Sequence, residues 1–216
     1  MARTADGLVA NGGLLEEVGL GHGILKKAVG DLYGILDSID HTLVGAGGFP
    51  LSETVELANL SSMIGNILGG AIAQNSEGAL RRNGPHKYPD LLSNDPLKFP
   101  NIEIKMALEG NKPKGHLAKE GYYLTCRYVL CDKDGIFTLG KQNRGTTAYV
   151  WEIRCGYLTE KHFNISNTAG DSGKTAVVNS EGMLALKVVY VDLERAPFTR
   201  KSRTFSNYSE LVAAGS

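Results

Sequence analysis

From Leu14 to Ile39 apolar side chains return every three or four residues, at Leu14, Val18, Leu25, Ala28 or Val29, Leu32, Leu36 and Ile39. This spacing lines one face of an α-helix. Glycine costs about 1 kcal/mol against alanine inside a helix, so Gly19, Gly21 and Gly23 predict a break, and Gly45 to Pro50 close the helical region. A second helix is expected from Ser52, a residue suited to cap free backbone N–H groups, with Glu53 in its first turn, to about Gln74. Its buried face is Leu57, Leu60, Ile64, Ile67 or Leu68 and Ala71, with Glu56 at the margin of that face.

After Asn83-Gly84-Pro85 the pattern changes to short runs of aromatic and β-branched residues between turn formers. Strands are predicted near Lys87 to Leu92, Ile102 to Ala107, Tyr122 to Cys131, Ile136 to Leu139, Ala148 to Tyr157 and Leu184 to Val191. Helices first and then a mostly antiparallel run of strands read as an α+β fold. Thr159 to Gly182, rich in Asn, Ser, Thr and Gly, reads as a long excursion. At 216 residues the expectation is one domain, 1–216, with a mainly helical region at 1–80 and a sheet at 81–216.

Charge alters this picture only locally. The chain carries 23 basic and 23 acidic residues, so bulk electrostatics does not announce a nucleic-acid partner. From Arg81 to Glu120, however, eight basic residues face five acidic ones. No stretch reaches the length of a membrane span and the N-terminus lacks a secretory pattern, from which a cytoplasmic protein is expected. Cys126, Cys131 and Cys155 have no metal-binding spacing and are expected to be buried free thiols.

The strongest chemical signal is Pro89-Asp90, twelve residues, then Glu103-Ile104-Lys105. Side chains two apart on a strand share a face, so Glu103 and Lys105 project together while Ile104 packs behind. A hairpin through Ser93-Asn94-Asp95-Pro96 would bring Asp90 beside Glu103. Two converging carboxylates suit a hard divalent cation, magnesium being usual for phosphate chemistry, and Lys105 could position a water or stabilise charge on a phosphate.

On Pro89, Asp90, Glu103 and Lys105 the chain resembles the PD-(D/E)XK nuclease superfamily, and within it the type II restriction endonucleases. The resemblance implies a mixed central β-sheet flanked by helices, Mg2+ dependence with Asp90 and Glu103 as metal ligands, hydrolysis of double-stranded DNA and a homodimer that cuts both strands. Its alternatives are a structure-specific repair or junction nuclease, and a non-catalytic DNA-binding or scaffold protein. Members often place a helix acid near the metal, for which Glu56 is the candidate ahead of Glu53 and Glu77. The apolar stripe of Leu14 to Ile39 is the expected dimer interface.

Lys112, Lys114, His116 and Lys119 follow the catalytic strand directly and are candidates for phosphate contacts. Arg144, in Gln142-Asn143-Arg144, and Asn167, in the polar excursion, are candidates for reading bases. Arg195, Arg200, Lys201 and Arg203 form a further basic run that could track phosphates. Gly173-Lys174-Thr175 lacks the first glycine and the helix of a phosphate-binding loop, and Gly170-Asp171-Ser172-Gly173 lacks the partners of a serine-protease triad.

Overall fold

The computed structural model describes residues 2–85, 87–115, 118–166 and 175–214. In chain order its elements are β1 (Leu8–Val9), α1 (Gly12–Glu17), α2 (His22–Gly45), α3 (Leu51–Thr54), α4 (Leu57–Asn75), β2 (Leu80–Arg82), β3 (Leu91–Ser93), β4 (Ile102–Leu108) and β5 (Lys114–Gly115). There follow β6 (Gly121–Cys131), β7 (Thr147–Leu158), β8 (Phe163–Ser166), β9 (Thr175–Val178), α5 (Ser180–Ala185), β10 (Lys187–Val191) and α6 (Arg203–Ala214). All ten strands join one mixed sheet, in the order β1-β10-β7-β6-β4-β5-β9-β8, with β2 and β3 attached to the outer edge of β4. The chain is thus α+β, with helices packed on a large mixed sheet.

The glycine break divides α1 from α2 as the pattern requires: Gly19 adopts φ +74° and packs against Phe99, in the left-handed region that costs glycine least. The stripe beyond it is spent inside the molecule. Leu15, Val18, Leu25, Val29, Leu32 and Leu36 are all 2% exposed or less and join α4 and the sheet in the principal core. The expectation that this stripe forms a dimer interface is therefore corrected, because its apolar surface is already covered by the chain's own sheet.

The second helix also begins later than expected. Ser52 lies within α3 and donates its hydroxyl to the Thr146 carbonyl at 2.6 Å instead of capping α4. Val55 and Glu56 are extended, so α4 starts at Leu57.

Three further differences concern strands. Lys87 to Asp90 is loop, and only Leu91–Ser93 pairs. Residues 136–139 form no strand, since Asp132 Oδ1 accepts the Asp134 and Ile136 N–H groups at 2.9 Å and draws the chain into a turn. The supposed excursion after Thr159 holds β8, β9 and α5, which with Tyr123, Leu158 and Leu186 build a satellite core from Phe163, Ala176, Val178 and Met183. The three cysteines are buried and free. Among the described residues no helix is long and apolar enough to cross a membrane.

The pairing of β4 positions the candidate site. The inner edge of β4 pairs in parallel with β6 along its whole length, from Ile102 opposite Tyr122 to Leu108 opposite Tyr128. Its outer edge pairs only near the ends, with Leu91 at Ile102 and with Lys114 at Met106. Between those points the strand edge is open.

Candidate functional site

Asp90 closes that opening. It is the residue just before β3, and β3 lies antiparallel to β4, so its carboxylate reaches back to accept the Ile104 N–H at 2.9 Å. An unpaired strand-edge donor is thereby satisfied. The N–H and C=O of one extended residue point to the same edge, so the Ile104 carbonyl faces the opening as well. The loop ahead of Asp90 is held by its neighbour strand: Asn83 N–H donates to the Asp90 carbonyl at 3.0 Å and the Asn83 side-chain amide to the Pro89 carbonyl at 2.8 Å.

On β4 the period of two holds. Ile104 points into the principal core, while Glu103 and Lys105 share the opposite face, with Lys105 Nζ 3.5 Å from Glu103 Oε1. Lys105 is only 3% exposed, and its ammonium sits 5.5 Å from the centre of the Tyr123 ring. It also rests against Gly115, where an added Cβ would come within 2.5 Å of Nζ. Glycine at 115 is thus what leaves room for the buried ammonium.

Burial first, and then the charge of Asp90, push the Glu103 carboxyl up from 4.5 to about 7, against the opposing pull of Lys105. Burial likewise lowers the Lys105 ammonium, resisted by Glu103 and Asp90. Two carboxylates and one ammonium held together in a partly dry site shift one another in this way.

Asp90, Glu103 and Ile104 lie in a cleft of about 1450 Å³. One wall is the first half of α4 with Arg82; the other carries Lys112, Lys114, Gly115 and β9, and Lys87 stands at the lip. The lining includes four cationic residues against two carboxylates, a local excess within a neutral chain.

The remaining sequence candidates fall in different places. Lys112 and Lys114 line the cleft, and Lys112 Nζ donates to Ser180 Oγ at 2.9 Å. Lys119 lies behind the site with its ammonium 4.2 Å from the Tyr88 ring centre, its carbonyl taking the Tyr123 hydroxyl at 2.6 Å. Arg144 is committed elsewhere: its Nε donates to Glu109 Oε1 at 2.6 Å, and it does not line the cleft. Glu56 stands exposed at the start of α4, beside Leu57 and Ala58 of the wall but outside the lining itself. Arg195 is paired with Asp192 at 2.5 Å, and Arg200 is bound to the Leu193 and Glu194 carbonyls, so these two members of the C-terminal basic run are used internally. His116 and Asn167, with residues 168–174, lie outside the described residues.

A second charged constellation escaped the sequence reading. Thr125 and Arg127 of β6 and Glu152 and Arg154 of β7 continue the face of Glu103 and Lys105 across the sheet, through the pairings Lys105–Thr125, Thr125–Arg154 and Arg127–Glu152. Glu152 is fully buried; it takes Arg154 Nε at 2.5 Å, lies 3.2 Å from Arg127 Nη1 and accepts the Tyr208 hydroxyl from α6. The alternation in Glu152-Ile153-Arg154, the same as in Glu103-Ile104-Lys105, was the available signal. Tyr208 of α6 covers this cluster, which does not line the cleft of Asp90 and Glu103. No known family model matches the chain, and no curated protein matches it either.

Proposed function

We propose that the chain is a magnesium-dependent endonuclease of the PD-(D/E)XK kind that hydrolyses phosphodiesters of duplex DNA at a specific sequence, as type II restriction enzymes do. The observation that carries this reading is the meeting of Asp90 and Glu103 in a cleft whose walls carry excess positive charge, with the buried Lys105 ammonium 3.5 Å from Glu103 behind the lining. A restriction-endonuclease-like arrangement of sheet and helices belongs to the same reading.

The residues fit a hard divalent cation. Asp90 and Glu103 would hold it through carboxylate oxygens, with the Ile104 carbonyl on the same open edge. Burial, and then the Asp90 charge, raise the proton affinity of Glu103 despite Lys105, so a cation held there would favour its charged form. When bound, magnesium lowers the pKa of a water and neutralises charge on the phosphate. The chain's own part is positional. Lys105, buried beside Glu103, would orient the attacking water and meet the phosphoryl oxygen that gains charge once its ammonium turns toward the cleft; low exposure strengthens such a contact. The water oxygen bonds to phosphorus, one P–O ester bond breaks, and the departing oxygen leaves as an alcohol, the proton balance being met by solvent. Lys112 and Lys114 hold backbone phosphates without reading sequence. Arg144, with its Nε paired to Glu109, lies outside the cleft lining, so any base reading by it would take place beyond the cleft.

Both strands of a duplex would be cut by a homodimer, one cleft to each strand, meeting through a surface other than the buried α2 stripe. The test is digestion of several long DNAs of known sequence with magnesium. Discrete fragments, abolished by chelator, are expected. A smear would remove the sequence specificity, and intact DNA would overturn the nuclease reading.

A further inference from the structure

We infer that Arg82 and the small-residue face of α4 form a second phosphate-binding wall, gripping the DNA backbone beside the scissile phosphate on the rim opposite Lys112 and Lys114. The identity of the ligand rests on the nuclease reading; the wall itself rests on separate observations.

β2 pairs with β3 so that Arg82 stands opposite Leu91, one residue from Asp90. From there its guanidinium crosses onto α4. Nη2 donates to Asn66 Oδ1 at 3.0 Å, and the group lies where Gly69 has no side chain: a Cβ at 69 would come within 2.3 Å of Nη1. Nη1 is buried without a hydrogen-bond partner. Arg82 makes no ion pair with any carboxylate among the described residues. A fixed, partly desolvated cation without a counter-ion is costly to keep, and an anion entering the cleft would compensate it.

The wall around it is cut to admit such an anion. The cleft side of α4 is Leu57 at its start and then only Ala58, Ser61, Ser62, Gly65 and Asn66, whereas its core side carries Leu60, Ile64, Leu68 and Ile72. Short side chains on the open face let a bulky polyanion approach the helix, and Ser62 and Asn66 add neutral hydrogen-bonding groups one turn apart. A guanidinium presents a rigid fork that matches two phosphate oxygens, which a lysine does not. The cleft therefore offers cationic rims on both sides of the two carboxylates.

The test measures binding of a short fluorescent DNA duplex by the full chain in chelator, over a series of salt concentrations, beside cleavage in magnesium. Arg82→Gln removes the charge but keeps an amide that can meet Asn66. It should weaken binding to every duplex alike and reduce the slope of log affinity against log salt by about one. Arg82→Lys should keep the slope and bind less tightly than wild type. Gly69→Ala, a change that helix propensity favours, keeps the charge and displaces the guanidinium. It should weaken binding in the same direction, and it carries the test if Arg82→Gln does not fold. Wild-type affinity and slope in both Arg82→Gln and Gly69→Ala, with the wild type cutting DNA, would overturn this inference and leave the nuclease reading intact. A wild type that cuts nothing yet binds with an Arg82-dependent slope would do the reverse. A change in the sequence that Arg82→Gln cuts, with slope unaltered, would make Arg82 a base reader and overturn the phosphate assignment.

Discussion

Replacing Glu103 by Gln should stabilise the metal-free protein above neutrality and leave it unchanged in acid. Glu103 has its carboxyl raised from 4.5 to about 7 in the fold. A group raised on folding stabilises the fold below its unfolded value and loses that contribution as pH climbs to the folded value. Below about pH 4.5 the carboxyl is neutral in both states, and glutamine is its near equivalent. Above about pH 7 the folded protein must hold the charge against burial and Asp90, at a cost of about 3 kcal/mol at about 1.4 kcal/mol per pH unit. The side chain is 16% exposed, so solvent screens little of this, and the opposing attraction of Lys105 is already contained in the value. With a urea slope of about 2 kcal/mol/M, Glu103→Gln should move the unfolding midpoint up by about 1.5 M near pH 8 in chelator, and hardly at all near pH 4. Magnesium added at the higher pH should then stabilise the wild type and not the variant, since binding to the native state alone raises its stability. An equal difference at both pH values, or a loss at the higher one, would refute the charge balance derived for the site.

Gly115→Ala should drive the Lys105 ammonium from its place and slow cleavage by about a hundredfold with little change in urea midpoint, a result to be compared directly with Lys105→Ala. Asp90→Ala removes both a carboxylate of the floor and the acceptor of the Ile104 N–H; cleavage should vanish, stability should fall by about 1–3 kcal/mol, and duplex binding in chelator should persist. Lys114→Ala should weaken binding to all duplexes and lower the salt slope by about one without altering the sequence cut. Glu152→Ala leaves Arg127 and Arg154 buried and unpaired, so denaturation should show a loss of about 3–5 kcal/mol.

Much of this was legible because it is local. The three-to-four spacing of α2 and the alternation of β4 each depend on neighbours within a turn or a step, and both appear where the pattern puts them. The hairpin relation of Asp90 to Glu103 followed from turn residues between two β-prone runs. What was not legible depends on pairing across distance. The parallel register of β4 with β6 brings the lysine-bearing crossover over the site, yet nothing in either strand announces its partner. β8 and β9 are short, and their apolar residues Phe163, Ala176 and Val178 gain burial only against Tyr123 and Leu158 of other strands. The start of α4 was misjudged because Ser52 has the chemistry of a cap but finds a tertiary acceptor in Thr146. Within the basic stretch from Arg81 to Glu120 nothing sets Arg82 apart, since its place is fixed by Gly69 of a separate helix.

The chain carries the same short pattern twice, Glu103-Ile104-Lys105 on β4 and Glu152-Ile153-Arg154 on β7, and the fold gives the two copies opposite roles. Period-two geometry sends the charged pair of each to the same face of the sheet, so local sequence cannot distinguish them. Their difference lies at the edge and in the cover. β7 is paired along both edges, by β6 and β10, and Tyr208 covers its glutamate beneath α6, where the carboxylate forms ion pairs with two arginines. β4 has an outer edge left open between Leu91 and Lys114, an extra carboxylate at that gap and a cleft above it. Removing the Glu152 charge from the closed copy should therefore destabilise, whereas removing the Glu103 charge from the open copy above neutrality should stabilise. A carboxylate held at its charge against burial and Asp90 at such an opening costs stability that the closed pair does not, and the proposed cation would supply the positive charge that the open copy lacks.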